Sequence, residues 1–463
     1  MVTHPIAPGE IEAPELERSL KSRHVAMIAI GGIIGAGLFV GSSTSIATVG
    51  PAVIVSYALA GLVVLLVMRM LGEMAMAHPE IRAFPEFARL GLGNWAGFLS
   101  GWLYWYFWVV VVAIEALAGA TILQRWFPAF QVWEIGVALM AVMTGVNLLS
   151  ARSYGEFEFW LSSTKVAAII VFIAIAGSYV LGLGSPTGAR FSMLTEYGGF
   201  MPHGPLAVLA GVTSVIFALC GAEIATVAAA ESAESAKVVG RMTGAVAGRI
   251  LIFYILSIAI IVMVVPWTSI VPGVSPFASA LEAIHVPGAS VIMSLIVLVA
   301  VLSCLNSGLY VTSRVLFTLA ARGDAPKGLV ALSGRQVPMR AILIGSLFSY
   351  GAMAASVLSP QLVFSFLVNA SGSIMLIIYL LLALAQVRLR TRMERETPER
   401  LQLKMWLHPF GTWFAIAGIL AVLLAMALTP DLASQFYTSL VLLAVVGAAY
   451  LVRRRRGPPE RQP

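Results

Sequence analysis

The sequence predicts an all-α integral membrane protein with 12 transmembrane helices. Of its 463 residues, 59% are hydrophobic and only 11% are charged, and the mean hydropathy is +0.92. Soluble globular proteins are about half apolar and about a quarter charged, and disordered chains are charged and poor in apolar residues. The apolar runs are continuous over about twenty residues, as membrane-spanning helices require, whereas barrel strands alternate apolar and polar residues over about ten.

Twelve separate apolar runs justify the helix count. The third and eighth runs are long for a bilayer about 30 Å thick, so we expect these helices to tilt or to extend beyond it. The predicted spans are residues 25–48, 52–77, 95–124, 132–150, 160–182, 206–230, 243–266, 287–320, 339–358, 362–387, 410–428 and 436–452.

The basic residues predict the orientation. All but three of the 29 Lys and Arg residues lie on the side of the membrane that holds both termini; Arg125 and Arg190 lie opposite, and Lys165 lies inside span five. Because cytoplasmic loops are enriched in basic residues, we expect a multi-pass protein of the cytoplasmic (inner) membrane with both termini in the cytoplasm. The run Arg453–Arg456 either binds anionic lipid head groups or only anchors the last span.

Several functional classes are excluded or disfavoured. The basic residues are dispersed between apolar runs, so no nucleic-acid surface is expected, and both cysteines lie in apolar runs, so no disulfide framework is expected. The six histidines are scattered over tails, loops and span ends, which disfavours an enzyme, a metal site or a bound cofactor. The sequence has no phosphate-binding loop of the G-x-x-x-x-G-K-[ST] type, which argues against ATP coupling within this chain.

Two spans contain interruptions. Span one carries five glycines between Gly31 and Gly41, and span six carries Gly221 beside the ionisable Glu223. The first cluster permits either close helix packing or an unwound stretch whose backbone groups bind a ligand. Spans one and six each begin a five-span half, and broken helices at matching positions are typical of inverted-repeat transporters.

Short motifs distributed along the chain point to a known family. They are Lys21–His24, Gly35–Gly41, Arg69–Met74, Tyr154–Trp160, Gly221–Ile224, Ala229–Ser232, Ser303–Ser307 and Arg322–Pro326. In these motifs the chain resembles bacterial amino-acid permeases of the amino acid–polyamine–organocation superfamily, most of all the 4-aminobutyrate (GABA) permeases. The similarity covers roughly residues 20–455.

The resemblance implies a LeuT-like fold with a 5+5 inverted repeat plus two peripheral helices. We therefore expect a transport core at residues 24–388, with repeat one at about 24–182 and repeat two at about 205–388. The remaining expected parts are a cytoplasmic N-terminal tail at 1–23, a cytoplasmic loop at 389–409, peripheral helices 11 and 12 at 410–452 and a basic cytoplasmic tail at 453–463.

The resemblance also places a substrate site at the two interruptions. There, free N–H groups of a half-helix suit a carboxylate, and free carbonyl groups suit an ammonium group. Phe217 corresponds to an aromatic gate of the family, although an ordinary core phenylalanine is the alternative. The expected substrate-binding residues are Ile34, Gly35, Ala36, Gly37, Phe217, Ala218, Gly221, Ala222, Ser303 and Asn306; helix-to-helix hydrogen bonds are the alternative for Ser303 and Asn306.

Three ionisable residues lie in mid-span, where a charge is costly and usually functional. Lys165 resembles a lysine that replaces a sodium ion in proton-coupled relatives, but it could instead snorkel to the interface. Glu223 could carry a proton or anchor the unwound segment. Glu115 could stabilise the substrate ammonium or bind only backbone. We expect Lys165, Glu223 and Glu115 to take part in proton coupling and gating.

Aromatic residues cluster early in span three, from Trp102 to Trp108. Such a cluster favours an interfacial belt, with a cage for a cationic amine as the alternative.

The expected function is proton-coupled symport of a small zwitterionic amino acid, best matched by GABA, through alternating access. The expected partners are the amino acid, the proton and the lipid bilayer; the oligomeric state cannot be predicted. The alternatives are a permease for a proline, aromatic, neutral or cationic α-amino acid, an amino-acid exchanger and, more remotely, a membrane sensor that does not transport.

Overall fold

The protein is all-helical over the residues that the computed structural model describes, which are 27, 30, 32–79, 81, 83–149, 151–183, 190–221, 223–224, 236–334, 336–355, 357 and 360–456. The N-terminal tail 1–23, Ala222 and the end of the basic tail therefore lie outside the described residues. The helices are α1 (Ser42–Val49), α2 (Val53–Ala77), α3 (Phe84–Leu92), α4 (Asn94–Gln124), α5 (Val132–Asn147), α6 (Ala151–Val180), α7 (Met193–Glu196), α8 (Gly204–Leu219), α9 (Ala236–Val264), α10 (Pro276–Ala283), α11 (Ala289–Ala321), α12 (Met339–Ala355), α13 (Pro360–Glu396), α14 (Phe410–Leu428) and α15 (Pro430–Arg456).

Each of the twelve predicted spans overlaps an apolar helix. Among the described residues, seven helices are long and apolar enough to cross a membrane, and shorter apolar helices occur at Val132–Asn147, Gly204–Leu219, Leu251–Val264 and Met339–Ala355. The helical turns from Gly37 to Ala77, which include α1 and α2, follow one another without a break over 41 residues. They therefore do not separate the first span from the second, and the count of twelve crossings stays a prediction. The all-helical membrane fold is confirmed.

Helices that stand five spans apart in the sequence pack against each other. Helix α2 packs along α9, α4 along α11 and α5 along α12, and the π-helical turn Gly37–Gly41 with α1 packs along α8. This pairing of the second, third, fourth and first spans with the seventh, eighth, ninth and sixth agrees with two five-helix units. The boundaries predicted for the two repeats and the peripheral parts stay predictions.

Helix α13 extends beyond the predicted tenth span into the segment 389–409 that the sequence predicts as a loop. Its last turns carry the ion pairs Arg390–Glu394 (2.7 Å) and Arg392–Glu396 (2.9 Å), each between residues four apart. Pairs with this spacing face each other on a helix and stabilise it. The charges that interrupt the apolar run therefore continue the helix past its apolar part.

A buried carboxylate connects α2 to α13 and to the segment that follows it. Glu73 is buried and accepts hydrogen bonds from Arg390 Nη1, from Gln386 Nε2 (2.7 Å) and from the backbone N–H of Met405 (2.6 Å). One turn earlier on α2, Arg69 Nε donates to the carbonyl oxygen of Lys404 (2.9 Å). The polar ends of α2 and α13 thus hold residues 404–405 against the bundle.

A second buried carboxylate connects α15 to the bundle. The side chain of Asp324, which follows α11, has no exposed surface and pairs with Arg89 of α3 (2.5 Å) and Arg453 of α15 (2.6 Å). Glu86 of α3 pairs with both Arg89 and Arg322, at 3.2 Å each. The first arginine of the C-terminal basic run therefore contacts protein, a role that neither hypothesis for that run included.

We predict that Glu73→Gln lowers the free energy of unfolding by about 3–5 kcal/mol, because Arg390 then loses its buried counter-charge. Glu394→Gln is the matched control, since Glu394 also pairs with Arg390 but its side chain is 47% exposed. Loss of an exposed pair changes stability by about 1 kcal/mol or less. Thermal unfolding of the purified variants in detergent gives the comparison. Equal midpoints for the two variants would contradict a larger contribution from the buried Glu73–Arg390 pair.

Candidate functional site

The helix of the first span breaks at Ile34 and Gly35, both of which are buried and non-helical. The chain then resumes with the π-helical turn Gly37–Gly41. The backbone N–H of Ala36, at the start of this second half, donates to both carboxylate oxygens of Glu115, at 2.9 and 3.0 Å. Helix N-termini attract anions because their first N–H groups lack helical partners. Here a carboxylate of α4 occupies that position.

The carbonyl groups at the end of the first half also have partners. The Tyr254 hydroxyl of α9 donates to the carbonyl oxygen of Ile33 at 2.8 Å, and the Cys304 thiol of α11 contacts that of Gly32 at 3.6 Å. Unpaired backbone groups are costly in a membrane interior. Side chains from three different helices therefore satisfy the backbone groups that this break releases.

The sixth span breaks directly after α8. Cys220 is extended, with a ψ of 150°. Gly221 has a φ of 124°, a backbone conformation that residues other than glycine rarely adopt. The Glu223 carboxylate accepts the Gly221 N–H at 3.1 and 3.2 Å. The hydroxyls of Tyr104 and Tyr379 each lie 3.4 Å from this carboxylate. Glu223 thus anchors the unwound backbone and connects it to α4 and α13.

The two breaks touch each other through positions without large side chains. A Cβ atom on Gly221 would lie 2.6 Å from the carbonyl carbon of Gly32, and one on Gly37 would lie 2.7 Å from Cα of Ala218. A Cβ atom on Gly35 would lie 2.5 Å from Glu115 Oε1. Larger residues at these glycines would force the two spans and α4 apart.

A small cavity lies between the breaks and α4, with free space for about one water molecule. A bound amino acid would therefore require its walls to move. The lining residues are Gly32, Ile33, Gly37, Phe107, Trp108, Val111, Glu115, Phe217, Cys220 and Cys304.

Most of the predicted substrate-binding residues lie at or beside this cavity. Gly37 and Phe217 line it, and Ile34, Gly35, Ala36, Ala218 and Gly221 belong to the adjoining backbone. Ala222 lies outside the described residues.

The two predicted residues of α11 make contacts elsewhere. Ser303 Oγ donates to Glu158 of α6, and Asn306 Oδ1 accepts from Asn147 Nδ2 of α5 at 2.6 Å. Both side chains therefore make the helix-to-helix hydrogen bonds that the sequence left as their alternative role.

Lys165 is fully buried on α6, which excludes snorkelling to the interface. Its Nζ lies 3.9 Å from Glu158 Oε1, and Glu158 also accepts a hydrogen bond from Ser162 (3.0 Å). Glu158 is not among the predicted site residues, although its spacing is a signal in the sequence. Residues 158, 162 and 165 recur at helical intervals and share one face.

Part of the aromatic cluster of α4 is buried in the protein interior and not exposed at the membrane interface. Tyr104, Phe107 and Trp108 have at most 1% of their surface exposed. Phe107 and Trp108 line the central cavity, and Tyr104 reaches Glu223. The belt interpretation is wrong for these three residues, since their side chains pack against the broken spans rather than the bilayer surface.

The comparisons with known proteins agree with this architecture. The sequence profile of the family described as "Amino acid permease" matches residues 24–462. The gamma-aminobutyric acid permease of Bacillus subtilis (strain 168) is 46% identical over 449 residues, covering 96% of this chain and 95% of that protein. The gamma-aminobutyric acid permease of Escherichia coli (strain K12) is 44% identical and covers 91% of each chain.

Solved structures support the fold at much lower sequence similarity. A mutant (H236A) of the manganese transporter of Eremococcus coleocola is 12% identical, with a TM-score of 0.57 and 93% of each chain covered. At this identity the likeness concerns the fold alone. On the full-length family match and the two permease relatives, the chain belongs to the amino acid permease family of multi-pass membrane transporters and is not an enzyme.

Proposed function

We propose that the protein is a proton-coupled symporter that imports a small zwitterionic amino acid, with GABA as the preferred substrate. We further propose that it lies in the cytoplasmic (inner) membrane with both termini in the cytoplasm. The observation that carries the proposal is the Glu115 carboxylate on the Ala36 N–H at the wall of the central cavity. The names of the two permease relatives support GABA as the substrate.

In this proposal the substrate carboxylate competes with Glu115 for the start of the second half-helix. An ionised carboxylate accepts a hydrogen bond roughly twice as strongly as a neutral acid. A proton on Glu115 therefore weakens its hold on Ala36 and makes the N–H available to the substrate. On the cytoplasmic side, loss of that proton restores the Glu115–Ala36 contact and expels the substrate.

The opposite end of the substrate meets different groups. Phe107 and Trp108 present aromatic rings to the cavity, and the backbone at Cys220 and Gly221 is non-helical. Aromatic faces attract ammonium groups through cation–π contacts. The buried Lys165–Glu158 pair connects α6 with α11 through Ser303 and provides a fixed cation in the bundle.

The proposed coupling is energetically adequate. One proton moving with a neutral zwitterion transfers one charge, and a potential of about 100 mV provides about 2.3 kcal/mol for it. That free energy supports an accumulation of about 50-fold, and a proton gradient adds to it.

The separation of carboxylate and ammonium distinguishes the preferred substrate from the alternatives. An α-amino acid carries both groups on one carbon, whereas GABA spaces them three carbons apart. Exchange of amino acids without protons is the other alternative. Neither is favoured by a contact in the described site.

We expect purified protein in liposomes to take up labelled GABA, and to do so faster with an inward proton gradient and a negative interior. A panel of α-amino acids, tested under the same conditions, measures selectivity. Preference for an α-amino acid would move the assignment to that class. Uptake that depends on neither pH nor voltage would contradict proton coupling. The absence of uptake for every amino acid tested would refute the proposed function.

We expect Glu115→Gln to abolish the dependence of uptake on external pH, because glutamine resembles the protonated acid and cannot release a proton. Exchange of internal for external substrate should persist, since it requires no net proton movement. Glu196→Gln, which removes an exposed carboxylate, should retain the pH dependence of the unmodified protein. Equal pH profiles for Glu115→Gln and the unmodified protein would remove Glu115 from the mechanism.

We expect Phe217→Ala to raise the KM for uptake by about tenfold, or to abolish uptake, if its ring closes over the substrate. The ring lies beside Gly37, 3.3 Å from the place that a Cβ atom there would take. Phe414→Ala is the control, because Phe414 is 56% exposed on α14. Unchanged kinetics in Phe217→Ala would make Phe217 an ordinary core residue.

A further inference from the structure

A second cavity lies beside the central one, between the end of α4, the start of α11 and the segment that joins α9 to α11. It belongs to the face of the bundle that holds Arg125, opposite the side predicted for the termini. The residues that line it are Val40, Thr121, Ile122, Arg125, Gly273, Val274, Ser275, Ala278, Ser294 and Val297.

The two cavities share the second half of the first span as a wall. Gly37 lines the central cavity and Val40 lines the second one. Ala36 lies four residues before Val40, which corresponds to about one helical turn. A molecule that leaves the second cavity toward the interior therefore needs to pass only one turn of helix to reach the Ala36 N–H.

The segment before α11 closes over this part of the first span. The Gly273 N–H donates to Ser43 Oγ at 2.9 Å. The Phe277 ring of α10 packs on Phe39 and Phe172, with centroid distances of 5.0 and 4.7 Å. Gly273, Ser275 and Ala278 line the second cavity from this same segment. The cavity thus borders the segment before α11, which separates the central site from this face of the bundle.

The polar groups of the second cavity suit a carboxylate. Arg125 supplies a positive charge, and within the described part of the chain it forms no ion pair. The Oγ of Ser275 is buried and has no hydrogen-bond partner there. None of the lining residues is acidic. A buried hydroxyl without a partner is costly, and an arginine binds carboxylates through paired N–H donors.

We propose that Arg125 and Ser275 form an outer capture site for the carboxylate group of the transported amino acid. The free space corresponds to one or two water molecules, so it accepts a carboxylate but not a whole amino acid. The proposal rests on the proposed function, because it assigns the first contact of the same substrate.

The first test measures uptake kinetics of Arg125→Gln in liposomes. We expect KM to rise about three- to tenfold with little change in the maximal rate, because a charge-assisted contact is lost before the rate-limiting movement. Arg125→Lys should recover part of the loss, and Ser275→Ala should raise KM in the same direction. Raising the ionic strength should reduce the difference between Arg125→Gln and the unmodified protein, because salt screens an exposed charge.

Arg190→Gln is the matched control. Arg190 is the other basic residue predicted on this face, but its guanidinium lies over the Tyr179 ring at 5.9 Å and it does not line the cavity. Its KM should equal that of the unmodified protein. A similar rise in both variants would indicate a general surface-charge effect and overturn the capture site, as would an unchanged KM in Arg125→Gln.

A binding measurement separates failure of this site from failure of the proposed function. Butyrate carries the carboxylate without the ammonium group, and butylamine carries an amine alone. We expect butyrate to protect the purified protein from thermal unfolding with an apparent affinity that is several-fold weaker in Arg125→Gln, and butylamine to act equally on both. Equal protection by butyrate would overturn the capture site even if uptake failed in the unmodified protein.

Discussion

The hydrogen bonding of two broken helices inside the bundle is the constraint on which the rest of this structure depends. Lipid offers no partner for the backbone groups that a break releases, so other helices must supply them. Glu115, Tyr254 and Cys304 reach the first break from α4, α9 and α11, and Glu223 holds the second. Each of these helices must therefore keep its position and rotation relative to the breaks. Two of these side chains, Glu115 and Cys304, also line the central cavity.

Close approach of the two broken spans makes this arrangement sensitive to small movements. Gly221 lies against the backbone of Gly32, and Gly37 lies against Ala218, so the two halves have almost no side chains between them. A movement that separates them would expose backbone groups that are now paired. The cost is avoided only if other partners take over as the first ones leave. An amino acid supplies suitable replacements in the proposed function, since its carboxylate can take the place of Glu115 and its ammonium group can meet the rings of Phe107 and Trp108. Substrate binding and the conformational change would then be energetically coupled.

The sequence predicted the breaks better than it predicted their partners. A glycine cluster and a glycine beside a glutamate are local signals, and the structure interrupts both helices there. Glu158 and Glu73 lie inside two of the quoted motifs, but their contacts are unpredictable from the sequence because the partners are remote: Ser303 is 145 residues from Glu158, and Arg390 is 317 residues from Glu73. No periodicity within a single helix shows such pairs. The end of α13 differs from the predicted loop for a different reason: its charged residues form pairs four residues apart, and that spacing favours helix.

The two ends of the bundle are closed by different forces, and this difference bears on how the protein moves. At the end with most basic residues, Asp324 binds Arg89 and Arg453, and Glu73 binds Arg390, all through carboxylates without exposed surface. Breaking one buried pair costs about 3–5 kcal/mol. At the other end, Phe277 packs on Phe39 and Phe172, and aromatic pairs contribute only about 0.5–1.5 kcal/mol beyond their buried area. A movement that separates α10 from the first span breaks no buried ion pair among the described residues, whereas one that separates α3 from α15 breaks a pair with Asp324. The ion pairs therefore favour opening toward the Arg125 face, the direction that the proposed import of an amino acid from that side requires.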